Sequence, residues 1–224
     1  MTSEMKADRS LLQASPYVDG RVDDGSLIGY PAERGRPGPL LLGPGARIRS
    51  NTILYSGSVI GDRFTTGHNV IVREECEIGD DVSVWSNSII DYGCRIGAGV
   101  KIHSNCYIAQ FTEIEDGAFL APGVSIANDL YPGSERSAEV MRGPVIRAGA
   151  QIGVGATLLP YVEIGEGAIV GSGAVVTKDI PAGMVAVGNP AVCTKPVADL
   201  RPIDERLKPQ DRPPDELPVP PGKS

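Results

Sequence analysis

The sequence predicts an all-β chain wound as a parallel β-helix of about seven triangular coils, and three observations carry that prediction. Large aliphatic residues recur at every sixth position from Ile48 through Leu54, Ile60 and Val72 to Ile126, and again from Ile146 to Val176. Of these 20 slots only Thr66 is not aliphatic. Two residues before nearly every slot stands a small or β-branched residue, among them Ala46, Thr52, Ser58, Cys76, Cys94, Cys106 and Ala150, with Phe64 and Pro144 the exceptions. The chain is also rich in turn formers, with 28 glycines and 19 prolines, and aromatic residues make up only 5%.

A period of six fits neither the 3.6-residue turn of an α-helix nor an unbroken alternating strand. It fits a strand of about three residues followed by a turn, in which the two apolar slots, two residues apart, face the same way. Three such hexads close one 18-residue coil, and stacked coils pair their strands in parallel about 4.8 Å apart. Gly61, Gly79, Gly97, Gly153, Gly165 and Gly171 directly follow an aliphatic slot, where glycine is expected to adopt dihedrals closed to other residues.

Three segments lie outside the repeat. Residues 1–45 carry no hexads and read as a cap over the first coil, with Leu27, Ile28 and Leu40 to Leu42 shielding its open strand edge. Residues 46–191 form the repeat domain, and residues 192–224 form a Pro-rich extension, with a short helix expected near 197–207 and disorder beyond it. The repeat is interrupted at 129–143 (DLYPGSERSAEVMRG), a polar stretch expected to leave the prism as a loop, where function concentrates on rigid scaffolds.

Composition narrows the function classes. The 28 acidic residues outweigh 21 basic ones for a net charge of -7, which argues against a nucleic-acid or anionic-membrane surface and requires any polyanionic ligand to meet a local basic spot. No apolar run reaches the roughly 20 residues of a membrane span, and the N-terminus lacks a signal-peptide core, so a cytoplasmic location is expected. Three of the four cysteines occupy inward small slots and read as core packing. Two histidines per chain cannot supply the three ligands of a zinc anhydrase site, so no metal is expected.

The hexad pattern over residues 46–191 resembles the hexapeptide-repeat acyltransferases, and the resemblance implies a left-handed β-helix, a homotrimer and an acetyl-CoA co-substrate. The stretches TGHNVIVRE (66–74), KIHSN (101–105) and APGVSIANDLYP (121–132) are similar to the bacterial members that N-acetylate nucleotide-linked amino sugars. The resemblance therefore implies acetyl transfer to the amino group of such a sugar, with transfer to a sugar or serine hydroxyl as the alternative and a non-catalytic trimer as the alternative of another class. The ending GSGAVVTKDIPAGMVAVGNPA (171–191) resembles the coenzyme A-binding coils shared by the whole superfamily. Where other members keep a catalytic histidine in the corner loop, this chain has Tyr131, and an Arg that often follows Tyr-Pro is replaced by Gly133, with Arg136 further on.

Acyl transfer from a thioester needs a group to take the nucleophile's proton, donors for the oxyanion and a held coenzyme. His68 and His103 follow slots 36 residues apart, so they fall on one prism corner two coils from each other, about 9–10 Å along the axis. His103 is the expected base or hydrogen-bond acceptor, with Asn105 and Asn128 as catalytic partners. His68, Asp129, Tyr131 and Arg136 are the expected substrate contacts. Gly153, Gly155, Gly171 and Ser172 are expected to let pantetheine approach the backbone, and Lys178 and Lys195 to meet the coenzyme's phosphates.

Overall fold

A computed structural model describes residues 20–34 and 38–200. The chain winds into three sheets, parallel except for the last strand of sheet A, that form the faces of a triangular prism. Sheet A runs from Arg21–Val22 to Val192–Pro196 with ten strands, sheet B from Leu27–Tyr30 to Val175–Val176 with eight, and sheet C from Leu41–Leu42 to Glu163–Ile164 with seven. The register is the 18-residue coil: Val84 pairs with Thr66 on one side and Ile102 on the other, and Ile90 with Val72 and Ile108. This is the left-handed β-helix, with about eight coils.

The hexad slots are the core. Ile48, Leu54, Ile90, Ile102, Ile108, Leu120, Ile146 and Leu158 are all fully buried, and each such side chain contributes roughly 1.5–3 kcal/mol by leaving water. The small slots do more than make room. Ser58 and Ser88 donate their hydroxyls to the carbonyls of Arg73 and His103, 15 residues onward at the next coil's corner. Cys76, Cys94 and Cys106 direct their thiols in the same way to Asp91, Ala109 and Ala121. Burial pushes the Cys106 thiol above its usual range, which fits packing and not nucleophilic work.

Three features differ from the expectation. The segment expected to cap the first coil supplies strands of its own: Val22 pairs with Ile48, Ile28 with Leu54, and Leu42 with Ile60. Hexad spacing from 22 to 28 is real but is lost over the excursion between 30 and 41, so six-residue counting from Ile48 backwards misses it. Beyond the prism, Met184–Val187 pairs antiparallel with Val192–Pro196, and the expected helix begins as a three-residue 3-10 turn at Val197–Asp199; residues 201–224 lie outside the described residues.

The third difference concerns the glycines. Gly61, Gly79, Gly97, Gly153, Gly165 and Gly171 do not have positive φ. A Cβ on Gly61 would lie 2.8 Å from the Asp80 backbone nitrogen, so this column is glycine because consecutive coils touch there. Left-handed dihedrals fall two residues later, at Gly99, Gly117, Gly155 and Gly173 and at Asn51, Asn69, Asn87 and Asn105, where asparagine is the cheapest residue with a side chain.

Candidate functional site

Two corners of the prism carry the expected site residues, and they differ in kind. The first follows the strands of sheet A. Reading along the axis, the residue after the inward slot is Arg49, Gly67, Trp85, His103, Ala121, Gly153 and Gly171 in successive coils. His103 is half-buried, its ring stacked on Trp85 with centroids 4.2 Å apart and tilted against Phe119 at 5.0 Å. Neither of its ring nitrogens hydrogen-bonds another described residue, so one lone pair is open to a ligand. His68 is exposed, and its Nδ1 lies 2.8 Å from the Ser50 hydroxyl. Asn105 takes a left-handed turn position at φ 61°, last in the asparagine column that begins at Asn51.

The glycines expected to meet the coenzyme lie on this same corner, toward the C-terminal end. Gly153 is two strand spacings beyond His103, about 9–10 Å. Gly153 and Gly171 are hemmed in, since a Cβ on the first would be 2.5 Å from the Ser172 nitrogen and on the second 2.7 Å from Val187. Gly155 has open space beside it, and Ser172 is exposed. Lys195 lies at the edge of sheet A, opposite Val185, whereas Lys178 stands at the other corner.

The second corner follows the strands of sheet B and is closed. Arg73 grips Glu74 through two hydrogen bonds of 2.8 and 2.9 Å, and its guanidinium lies 3.7 Å from Asp91. Tyr107 Oη at 2.9 Å and Gln110 Nε2 at 2.6 Å donate to Asp91 Oδ2. Asn128 Nδ2 donates to Gln110 Oε1 at 2.6 Å, which joins the cluster to the interrupting loop. Arg73 also lies over the Tyr55 ring at 5.1 Å. Burial alone would raise the Glu74 carboxyl, but the Arg73 guanidinium and a backbone N–H outweigh it and hold it below the usual range. Burial and the Asp91 carboxylate push the Tyr107 phenol up to about 12.

The loop at 129–143 leaves from this corner and is folded on itself. Asp129 accepts from the Tyr131 N–H at 2.8 Å and from the Ser137 hydroxyl, so its carboxylate is spent on loop structure. A four-residue helix, Ser137–Val140, carries Arg136 at its start, ion-paired with Glu139 at 3.0 Å. The Tyr131 backbone is held within the loop, its N–H by Asp129 and its carbonyl by the Ser134 N–H, while the residue is 74% exposed. Arg142 N–H donates back to the Asn128 carbonyl at 2.8 Å, and the Tyr161 hydroxyl donates to the Val140 carbonyl. Asn128, Asp129, Tyr131 and Arg136 therefore share one corner of the chain, and His68, His103 and Asn105 share the other.

Sequence reasoning missed the cluster of Arg73, Glu74, Asp91, Tyr107 and Gln110. Its signal was present: Tyr55, Arg73 and Asp91 are spaced by 18, as are Tyr92, Gln110 and Asn128. Among the described residues no group of three or more His, Cys, Asp or Glu is arranged to hold a metal. No described helix is long and apolar enough to cross a membrane.

The repeat matches the family model described as bacterial transferase hexapeptide (six repeats) at residues 57–91, 93–128 and 143–178. The chain belongs to that family. It is similar to the serine acetyltransferase of Buchnera aphidicola, with 32% identity over 99 residues that cover 41% of this chain and 36% of the relative. It is also similar to the galactoside O-acetyltransferase of Lactococcus lactis, with 34% identity over 82 residues, 35% of this chain and 40% of the relative. The chain thus spans well under half the length of these curated relatives. Among solved structures, the polySia-specific acetyltransferase NeuO overlays with a TM-score of 0.50 at 21% identity, covering 80% of this chain and 87% of its own. The UDP-N-acetylglucosamine acyltransferase of Campylobacter jejuni overlays with a TM-score of 0.53 at 14% identity, covering 85% and 79%. At these identities the overlays speak to the fold.

Proposed function

We propose that the protein transfers an acetyl group from acetyl-CoA to the amino group of a nucleotide-linked amino sugar, working as a homotrimer. Family membership and the acetyltransferases among the relatives support acetyl-CoA as the donor. One observation carries the choice of an amine: neither histidine is oriented by a carboxylate among the described residues. A hydroxyl has to lose its proton as it attacks, so it depends on a base held in line by a third group. An amine in its neutral form already presents a lone pair, and His103 needs only to accept a proton after attack. The stretch of sheet C-terminal to His103, with Gly153, Gly155 and Gly171 on the same corner, is the reading for pantetheine, and Lys195 for a phosphate.

Association is supported by the outer face of sheet B, where Ile53, Ile71 and Ile89 line up in register half-exposed and Tyr107 is 39% exposed. Such a stripe favours burial against another copy. A trimer would let the loop corner of one protomer approach the histidine corner of its neighbour.

A second reading, transfer to a serine or sugar hydroxyl, is favoured by the similarity to serine and galactoside O-acetyltransferases. Release of free coenzyme A thiol, measured with nucleotide-linked amino sugars, serine and galactosides in parallel, separates the two. Turnover confined to the hydroxyl acceptors would replace the amine reading. With an amine acceptor His103→Ala lowers the rate without abolishing it; with a hydroxyl acceptor it abolishes it.

A further inference from the structure

The one break in the aliphatic ladder, Thr66, is not a random lapse. Along sheet A, the N–H after each inward slot donates to a backbone carbonyl of the next coil: Asp23 to Ile48, Gly67 to Val84, Trp85 to Ile102, His103 to Leu120, Ala121 to Ile152. At Arg49 that bond is replaced, and the N–H donates at 3.0 Å to the Thr66 hydroxyl. The Thr66 hydroxyl is itself 3.3 Å from that of Thr52, so a buried side chain fixes the corner from within. The corner so fixed carries an arginine.

That arginine belongs to a recess of about 690 Å³ lined by Arg21, Arg47, Arg49, Thr65 and His68, a size in the range of small-molecule sites. Arg21 and Arg47 are register partners on the outer face of sheet A, and Arg47 in turn pairs with Thr65. Asp23 steadies two of the three guanidinium groups, at 2.9 Å from Arg21 and 2.8 Å from Arg49. Arg47 has no acidic partner among the described residues. Three guanidinium groups against one carboxylate leave a local excess of two positive charges in a chain whose net charge is -7. The outer face of sheet A then continues toward His103 through Thr65, Ser83 and Lys101 without an acidic residue, whereas the outer face of sheet C carries Glu77, Glu113 and Glu163.

The geometry points to a diphosphate-binding subsite at Arg47 and Arg49, its corner set by Thr66. Guanidinium groups pair with phosphate oxygens in two-pronged fashion; Arg49, held by Asp23, loses little freedom on binding, and Arg47 brings a guanidinium that no carboxylate engages among the described residues. The subsite takes the diphosphate of the acceptor; that assignment, unlike the subsite itself, rests on the proposed function.

The test is titration calorimetry of the full chain at low ionic strength with pyrophosphate, UDP and coenzyme A. Arg47→Gln is expected to weaken pyrophosphate roughly tenfold to hundredfold, as loss of a charged hydrogen-bond donor does, with an unchanged melting temperature. Arg95→Gln on sheet C removes the same charge from another face and is expected to leave binding intact. Thr66→Val restores the ladder, so it should hold or raise the melting temperature yet weaken pyrophosphate. No pyrophosphate binding, or equal losses in Arg47→Gln and Arg95→Gln, overturns the subsite. If UDP depends on Arg47 and coenzyme A does not, the acceptor assignment stands; the reverse overturns it. Pyrophosphate binding involves no turnover, so failure to acetylate any amino sugar would sink the functional reading while leaving the subsite in place.

Discussion

The corner after sheet A and the corner after sheet B are built from the same coil, yet one is open and the other closed. On the first, His103 keeps an unengaged ring nitrogen and His68 stands exposed. On the second, Glu74 and Asp91 are 1% and 7% exposed, and among the described residues no buried side-chain nitrogen or oxygen lacks a hydrogen-bond partner. The difference teaches how a repeat fold separates reactivity from support. A corner whose polar groups satisfy one another is rigid and unreactive, and it anchors the loop through Asn128. A corner with unsatisfied groups facing solvent is where a ligand finds hydrogen bonds to make.

The contrast breaks most visibly at Asp91. Replacing it by alanine leaves Tyr107 and Gln110 without their acceptor and removes a carboxylate facing Arg73. Removing one partner of a buried charged network typically costs about 3–5 kcal/mol. Urea denaturation at fixed protein concentration should show a loss of that order, and a loss below about 1 kcal/mol would mean that the corner is not closed as described. The open corner should respond in the opposite sense. His103→Ala removes one ring from a stack and is expected to cost only about 1 kcal/mol of stability, while turnover falls by about 100-fold and acetyl-CoA affinity holds. A loss of acetyl-CoA affinity with turnover at saturation preserved would reverse the roles of the two halves of that corner.

The fold was legible because its core obeys a single rule. Ile48 to Val176 repeat by six, and burial of that ladder needs no knowledge of what the corners do. The first coil escaped because the excursion between 30 and 41 breaks the count. The site was less legible for a physical reason: corner residues interact across coils, 18 residues apart, and each is a plausible turn residue alone. Arg73 and Glu74 read as a surface pair until Asp91 and Gln110 are placed beside them. The histidines were found because they are only two; Trp85, one 18-residue coil before His103, is placed beside it by the spacing, whereas Phe119 stands off that period on the adjoining strand and its contact is not read from spacing.

The two kinds of corner glycine sharpen the comparison between coil contact and turn geometry. Gly61→Ala would set a Cβ 2.8 Å from the Asp80 nitrogen, a backbone atom that moves only with its coil, so a loss of roughly 1–3 kcal/mol is expected. Gly99, at φ +67° with nothing within 4 Å, faces dihedral strain alone. Gly99→Ala should cost about 1 kcal/mol, and Gly99→Asn less, since Asn51, Asn69 and Asn87 already occupy the equivalent turn in a single column at another corner. Equal melting temperatures for Gly61→Ala and Gly99→Ala would deny that the first column is set by contact between coils.

The smallest expected effect is in the acid limb of stability, where the closed corner should differ from the open one. Burial raises the Glu74 carboxyl while Arg73 and a backbone N–H lower it, and the net shift is downward. A carboxyl depressed in the folded state adds stability above the ordinary glutamate range, and that contribution fades as pH falls through the folded-state value. The effect is modest because the two causes oppose each other. Wild-type protein should therefore lose melting temperature faster than Glu74→Gln only once pH falls below the ordinary glutamate range, from about pH 5 to about pH 3, because the glutamine does not titrate and still offers Arg73 an amide oxygen. Denaturation curves of both proteins over that range, at constant ionic strength and protein concentration, give the comparison. Parallel pH profiles would show that the guanidinium holds Glu74 no more tightly in the folded chain than water does in the unfolded one, and the closed corner would then owe its rigidity to Asp91 and its two neutral donors instead.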